Sequence, residues 1–168
     1  MRRLVALLPV PLLAVAVTMA PPASAAVEVL GAPTASLSAP YAGASTDAVI
    51  KTRLTQTSYA DISLDISLSG FRAERTFAYG KGACPSSVAR VTLPAKVTVA
   101  ECGWTQEGED AVLRLALKGT MTKGNVKVRI MSGALTAPAV SGTYGIFLSS
   151  WAFDEAMTTT DISSGPLK

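Results

Sequence analysis

Histidine is absent from all 168 residues. The commonest general base, the commonest metal ligand and the one side chain that titrates near neutrality without perturbation are missing together. Ser-His-Asp and Cys-His hydrolase chemistry is thereby excluded. Aromatic residues are only 6% of the chain, so few rings remain for an exposed platform once a core is filled. Cysteine occurs twice, at Cys84 and Cys102, without the C-x-x-C spacing of a redox pair. The longest apolar stretch, residues 4–20, is broken by Pro9 and Pro11, and a membrane span normally needs about 20 uninterrupted apolar residues. Beyond it, no 11-residue window places apolar residues at helical spacing.

What stands at the start of the chain reads as an export signal. Arg2 and Arg3 precede the apolar stretch, and Pro21-Pro22 leads into Ala23-Ser24-Ala25, the small-x-small pattern of a cleavage site. Residues 1–25 are expected to be removed, leaving residues 26–168 as one domain with no transmembrane segment. Its length suffices to bury a core without metal. Of the fifteen basic residues Arg2 and Arg3 leave with the signal, so thirteen remain against twelve acidic ones, a net of +1. A near-neutral chain has no global field to attract nucleic acid, and none is expected as a partner. No cofactor and no metal are expected either. Neither cysteine lies at the cleavage junction and no apolar tail follows Ile162, which predicts release, or non-covalent retention at the envelope.

In an oxidising compartment two cysteines imply a disulfide, Cys84 to Cys102. Closing a loop of about 19 residues would stabilise the fold by roughly 3 kcal/mol.

Period-two alternation dominates the remainder. Ile62, Leu64, Ile66 and Leu68 alternate with Ser63, Asp65 and Ser67, which on a helix would scatter the apolar groups over two faces. Ile50 to Leu54, Val97 to Val99, Leu113 to Lys118 and Val126 to Ile130 repeat the pattern. The last two are expected to pair as a hairpin across residues 119–124. Turn residues recur at the spacing of a sandwich of about eight to ten strands. Asp154 to Met157 is the single expected helical turn. The fold class expected is all-β, an antiparallel β-sandwich.

The segment Pro138-Ala139-Val140-Ser141-Gly142-Thr143-Tyr144-Gly145-Ile146-Phe147-Leu148 resembles the late strand of bacterial secreted Ig-like modules, where Gly-Thr-Tyr opens an alternating run. Residues 33–37, followed by Gly43 and residues 49–54, are similar to the first two strands of such modules. The resemblance covers about a third of the processed chain and lacks the paired cysteines and central Trp of antibody domains. It implies an Ig-like architecture, which hosts adhesion, carbohydrate binding and plain spacing alike.

Candidate chemistry is sparse. Arg114, Lys118, Lys127 and Arg129, with Lys123 in the turn, would share one face of the expected hairpin and form a stripe for an anionic ligand such as cell-wall phosphate, or a charged face that keeps the sheet soluble. Phe77 and Tyr79 flank a Gly-Lys-Gly loop and are the first candidates for an exposed aromatic contact. Trp104 and Trp151 are expected in the core. Glu107, Glu109 and Asp110 cluster in a Gly-containing loop but match no calcium spacing, and glycosidase work would require one of them in an apolar pocket. No serine has a recognisable base nearby, and a Ser-Lys dyad would need a pocket that a sandwich pattern does not predict. The expected function is therefore non-enzymatic binding or adhesion, with a cell-wall polymer or a protein as partner. One alternative is an inhibitor or effector presenting the disulfide-bounded segment to a protein target, and another is a small carboxylate-dependent hydrolase.

Overall fold

The computed structural model describes residues 30–55, 62–120, 122–151 and 155–164; the expected signal, residues 1–25, lies outside them. In chain order the strands are β1 (Thr34–Leu37), β2 (Ala48–Leu54), β3 (Ile62–Leu68), β4 (Arg72–Ala73), β5 (Phe77–Lys81) and β6 (Ala89–Thr92), then β7 (Val97–Glu107), β8 (Asp110–Gly119), β9 (Gly124–Ile130), β10 (Leu135–Thr136), β11 (Gly142–Trp151) and β12 (Glu155–Ser164). All pairings are antiparallel. One sheet has the order β1-β2-β9-β6, a second β12-β11-β3-β8-β7-β5, and β10 pairs with β4.

In Ig lettering the first sheet is A-B-E-D and β3, β11 and β12 are C, F and G, with β8, β7 and β5 continuing the sheet beyond C. Tyr144, near the start of β11, donates its hydroxyl to the Val140 carbonyl at 2.6 Å, the corner contact of Ig domains. The molecule is an Ig-like antiparallel β-sandwich.

Alternation decides which face each strand buries. Ile50 and Leu54 of β2, Val126, Val128 and Ile130 of β9, and Leu113, Leu115 and Leu117 of β8 point inward and are almost fully buried, as are Ile146 and Leu148 of β11. Each such side chain contributes on the order of 1.5–3 kcal/mol by leaving water. At one end β4 and β10 close the core over Phe71 and Trp104. The Trp104 indole is fully buried and donates to the Glu74 carbonyl at 2.8 Å, which satisfies its one polar atom.

Cys84 and Cys102 are bonded, with Cα atoms 5.3 Å apart. Cys84 lies in the connection between β5 and β6 and Cys102 within β7, so the bridge fastens that connection to the six-stranded sheet. The segment between them contains β6; Val88, Ala89 and Val97 are buried, while Pro85, Ser86, Ser87, Ala95 and Lys96 are exposed.

Two expectations are corrected. Strands β8 and β9 form no hairpin: β8 already has β7 along one edge and β3 along the other. Its tight turn is the one before it, where Glu107 faces Asp110 and Gly108 supplies φ 61°. At the other end the chain leaves the sheet through Gly119, at φ 117°, where a Cβ would meet the Lys96 carbonyl, and enters the opposite layer as β9. The expected helical turn is also replaced, since residues 155–157 begin β12, which pairs along β11. The run Thr158 to Thr160 is β-branched and suits a strand; Asp154 lies outside the described residues.

Candidate functional site

The division of β8 from β9 splits the expected basic stripe. Arg114 and Lys118 belong to the six-stranded sheet, Lys127 and Arg129 to the four-stranded one, and Lys123 is exposed in the connection between them.

Arg114 has partners of its own. Its guanidinium lies 3.4 Å from the Asp65 carboxylate and 2.7 Å from that of Glu107. Burial pushes the Asp65 carboxyl above its ordinary value; Arg114 offsets this in part, and the Glu107 charge adds to the rise. Asp110 accepts a hydrogen bond from Ser67 at 3.1 Å. Glu107 and Asp110 are therefore engaged on the outside of the sheet, and Glu109 is exposed in the two-residue turn between β7 and β8. Among the described residues no three His, Cys, Asp or Glu side chains gather as a metal site. The aromatic candidates also part: Phe77 packs against the core, while Tyr79 is 45% exposed. Phe147, not singled out from the sequence, is 42% exposed on the outer side of β11. The backbone of Trp151 ends β11.

On the four-stranded sheet the outward side chains form a different surface. Residues directly opposite one another in antiparallel strands project from the same side, so the register can be read as rows. Thr34 faces Lys51, Lys51 faces Lys127, and Lys127 faces Thr92, giving one row across all four strands. The next row holds Ser36, Val49, Arg129 and Arg90, and Arg53 faces Asn125 on the other side. None of these four strands contains an Asp, a Glu or an aromatic residue. An open depression of about 550 Å³ lies on this face, lined by residues that include Thr34, Lys51, Arg53, Thr92, Asn125 and Lys127.

Arg129 is neutralised locally. Its guanidinium donates to Asp47, at 2.9 Å through Nε, and the Ser132 N–H donates to the same carboxylate at 2.6 Å. Burial alone would raise the Asp47 carboxyl, but these hydrogen bonds and the Arg129 charge outweigh it and hold the group below its ordinary value. Lys51, Arg53, Arg90 and Lys127 have no ion pair with any described residue. Like charges directly opposite on a sheet are destabilising, and here Lys51 opposes Lys127 while Arg90 opposes Arg129.

Lys51 and Arg53 are legible in the sequence as the polar members of an alternating strand. Their companionship with Arg90 and Lys127 is not, because it depends on which strands lie side by side.

No family model and no curated protein matches the chain. Among solved structures it is similar to BslA, a bacterial hydrophobin, at 12% identity over 83% of this chain and 98% of that one, with a TM-score of 0.47. The collagen-binding domain of a Staphylococcus aureus adhesin is similar at 8% identity, covering 79% and 95%, with a TM-score of 0.45. A non-cellulosomal cohesin from the archaeon Archaeoglobus fulgidus has 8% identity, coverage of 82% and 93%, and a TM-score of 0.38. No ligand or role is carried over from these likenesses.

Proposed function

We propose that the protein is exported by cleavage after Ala25 and acts, without catalysis, as an Ig-like binding module at or near the bacterial cell envelope. Its four-stranded sheet face holds an anionic polymer. The supporting observation is that face itself: Lys51, Arg53, Arg90 and Lys127 project together from strands that carry no acidic residue. A near-neutral chain that gathers uncompensated cations on one sheet accepts a folding cost which an external anion would reverse.

The test is retention of the processed protein on purified cell-wall material across a salt titration. Binding should weaken steadily as salt shortens the Debye length from about 10 Å at 0.1 M to about 3 Å at 1 M. Replacing Lys51 and Arg53 together by glutamate should abolish it, while Lys118→Glu on the other sheet should not. Absent binding, or binding indifferent to salt, would remove this reading. Turnover of generic ester or glycoside substrates, lost on Glu107→Gln, would overturn its non-enzymatic part.

A further inference from the structure

The geometry points to the row Thr34, Lys51, Lys127 and Thr92 as a seat for a phosphate monoester group carried on a non-nucleic polymer, an inference that rests on the basic face being the binding surface. Two ammonium groups stand on directly opposed residues, whose Cβ atoms are typically about 4.5–5.5 Å apart, with a hydroxyl at each end of the row. One carboxylate would neutralise only one of these lysines. A phosphate monoester carries about −1.5 to −2 near neutrality and offers three strong acceptor oxygens. It can therefore take both ammonium groups and a threonine hydroxyl at once. Lysine binds phosphate as a compact point charge, and Lys51 and Lys127 both line the depression.

Length of ligand follows from the flanking rows. Arg53 lies two residues from Lys51 along β2, and Arg90 two from Thr92 along β6, a step of about 7 Å in a strand. Further phosphoryl groups on the same chain would meet these cations, so a polymer gains over a single anion by multivalency. The four strands of the face carry no ring on which a base could stack, and so do not supply the platform that single-stranded nucleic acids use.

The absence of histidine makes the proposal unusually readable by pH. Around the row the charged groups are Arg53, Arg90 and Arg129, with Asp47 held ionised below the ordinary carboxylate range. The second ionisation of a phosphate monoester falls near pH 6, so between pH 5 and 7 the dianion goes from about a tenth to about nine-tenths of the total. A rise in affinity across that interval is the signature expected of the ligand's second ionisation.

The processed protein would be titrated calorimetrically with a phosphorylated polysaccharide, a carboxylated polysaccharide of equal charge density, a single-stranded oligonucleotide and inorganic phosphate. The phosphorylated polymer should bind roughly tenfold or more tightly than the carboxylated one, the gain expected of added charge-assisted hydrogen bonds, and its affinity should rise several-fold from pH 5 to pH 7. Inorganic phosphate should compete only weakly. Lys51→Gln with Lys127→Gln should abolish the preference, and Lys118→Gln should leave it intact. Equal affinity for the carboxylated polymer, or a flat pH profile, would overturn the phosphoryl seat while leaving the basic face standing. Tightest binding to the oligonucleotide would overturn it in favour of nucleic acid. Failure of every polymer to bind would sink the functional reading as well.

Discussion

If the opposed lysines are kept for a ligand and not for the fold, reversing one of them should make the protein more stable as it destroys binding. Lys51 faces Lys127 directly. Two unit charges about 5 Å apart in water repel by roughly 0.8 kcal/mol, so Lys51→Glu changes the pair by at most about 1.6 kcal/mol. Screening and the entropy of fixing two long exposed side chains reduce this to about 0.5–1 kcal/mol. For a chain of this size each kcal/mol moves Tm by about 2–4 °C, which predicts a rise of about 1–4 °C. Scanning calorimetry in low salt should show it, and in 1 M salt, where the Debye length is about 3 Å, the gain should largely vanish. Lys51→Gln removes the repulsion without adding attraction and should give about half the shift. Lys118→Glu, whose cross-strand partner is the uncharged Thr98, serves as the control. A lower Tm for Lys51→Glu, or a rise unchanged in 1 M salt, would refute the claim that the cationic row costs stability.

Three other outcomes are expected. Replacing both Cys84 and Cys102 by serine removes a cross-link over 18 residues of sequence separation and should cost roughly 3 kcal/mol in denaturant unfolding; an unchanged midpoint would show that the bridge adds nothing. Asp47→Asn should lower stability at pH 7 by about 1–3 kcal/mol, since it breaks a buried charge-assisted contact. Because the folded-state pKa of Asp47 is depressed, its contribution is present above the unfolded value of about 3.9 and is lost as pH falls through the folded one. The gap between wild type and variant in thermal melts should therefore close below about pH 4. Ser150 is fully buried and its hydroxyl has no hydrogen-bond partner among the described residues, so Ser150→Ala should be neutral or stabilising by up to about 1 kcal/mol; a clear loss in a chemical melt would contradict that.

Much of the architecture is legible in the chain. Ile62 to Leu68 and Val126 to Ile130 are strands because only a period of two puts their branched side chains on one side. Gly-Thr-Tyr opens β11, and Tyr144 makes the corner contact there. With two cysteines there was one disulfide to form, and Cys84 and Cys102 are bonded. The errors fall where alternation is silent. Leu113 to Lys118 and Val126 to Ile130 look like hairpin arms because they are consecutive, yet the two-residue turn at Gly108 had already given β8 another neighbour.

Side-chain rhythm thus assigns each residue to an inner or outer face, since that choice is made within one strand by hydrophobicity alone. Which strands become neighbours was settled in three dimensions, because the backbone edge of every strand offers the same donors and acceptors, and only turns, crossovers and core packing choose among them. For this reason Arg114 ended beside Asp65 and Glu107, while Lys51, Arg53 and Arg90, from distant parts of the chain, joined Lys127 on one basic surface.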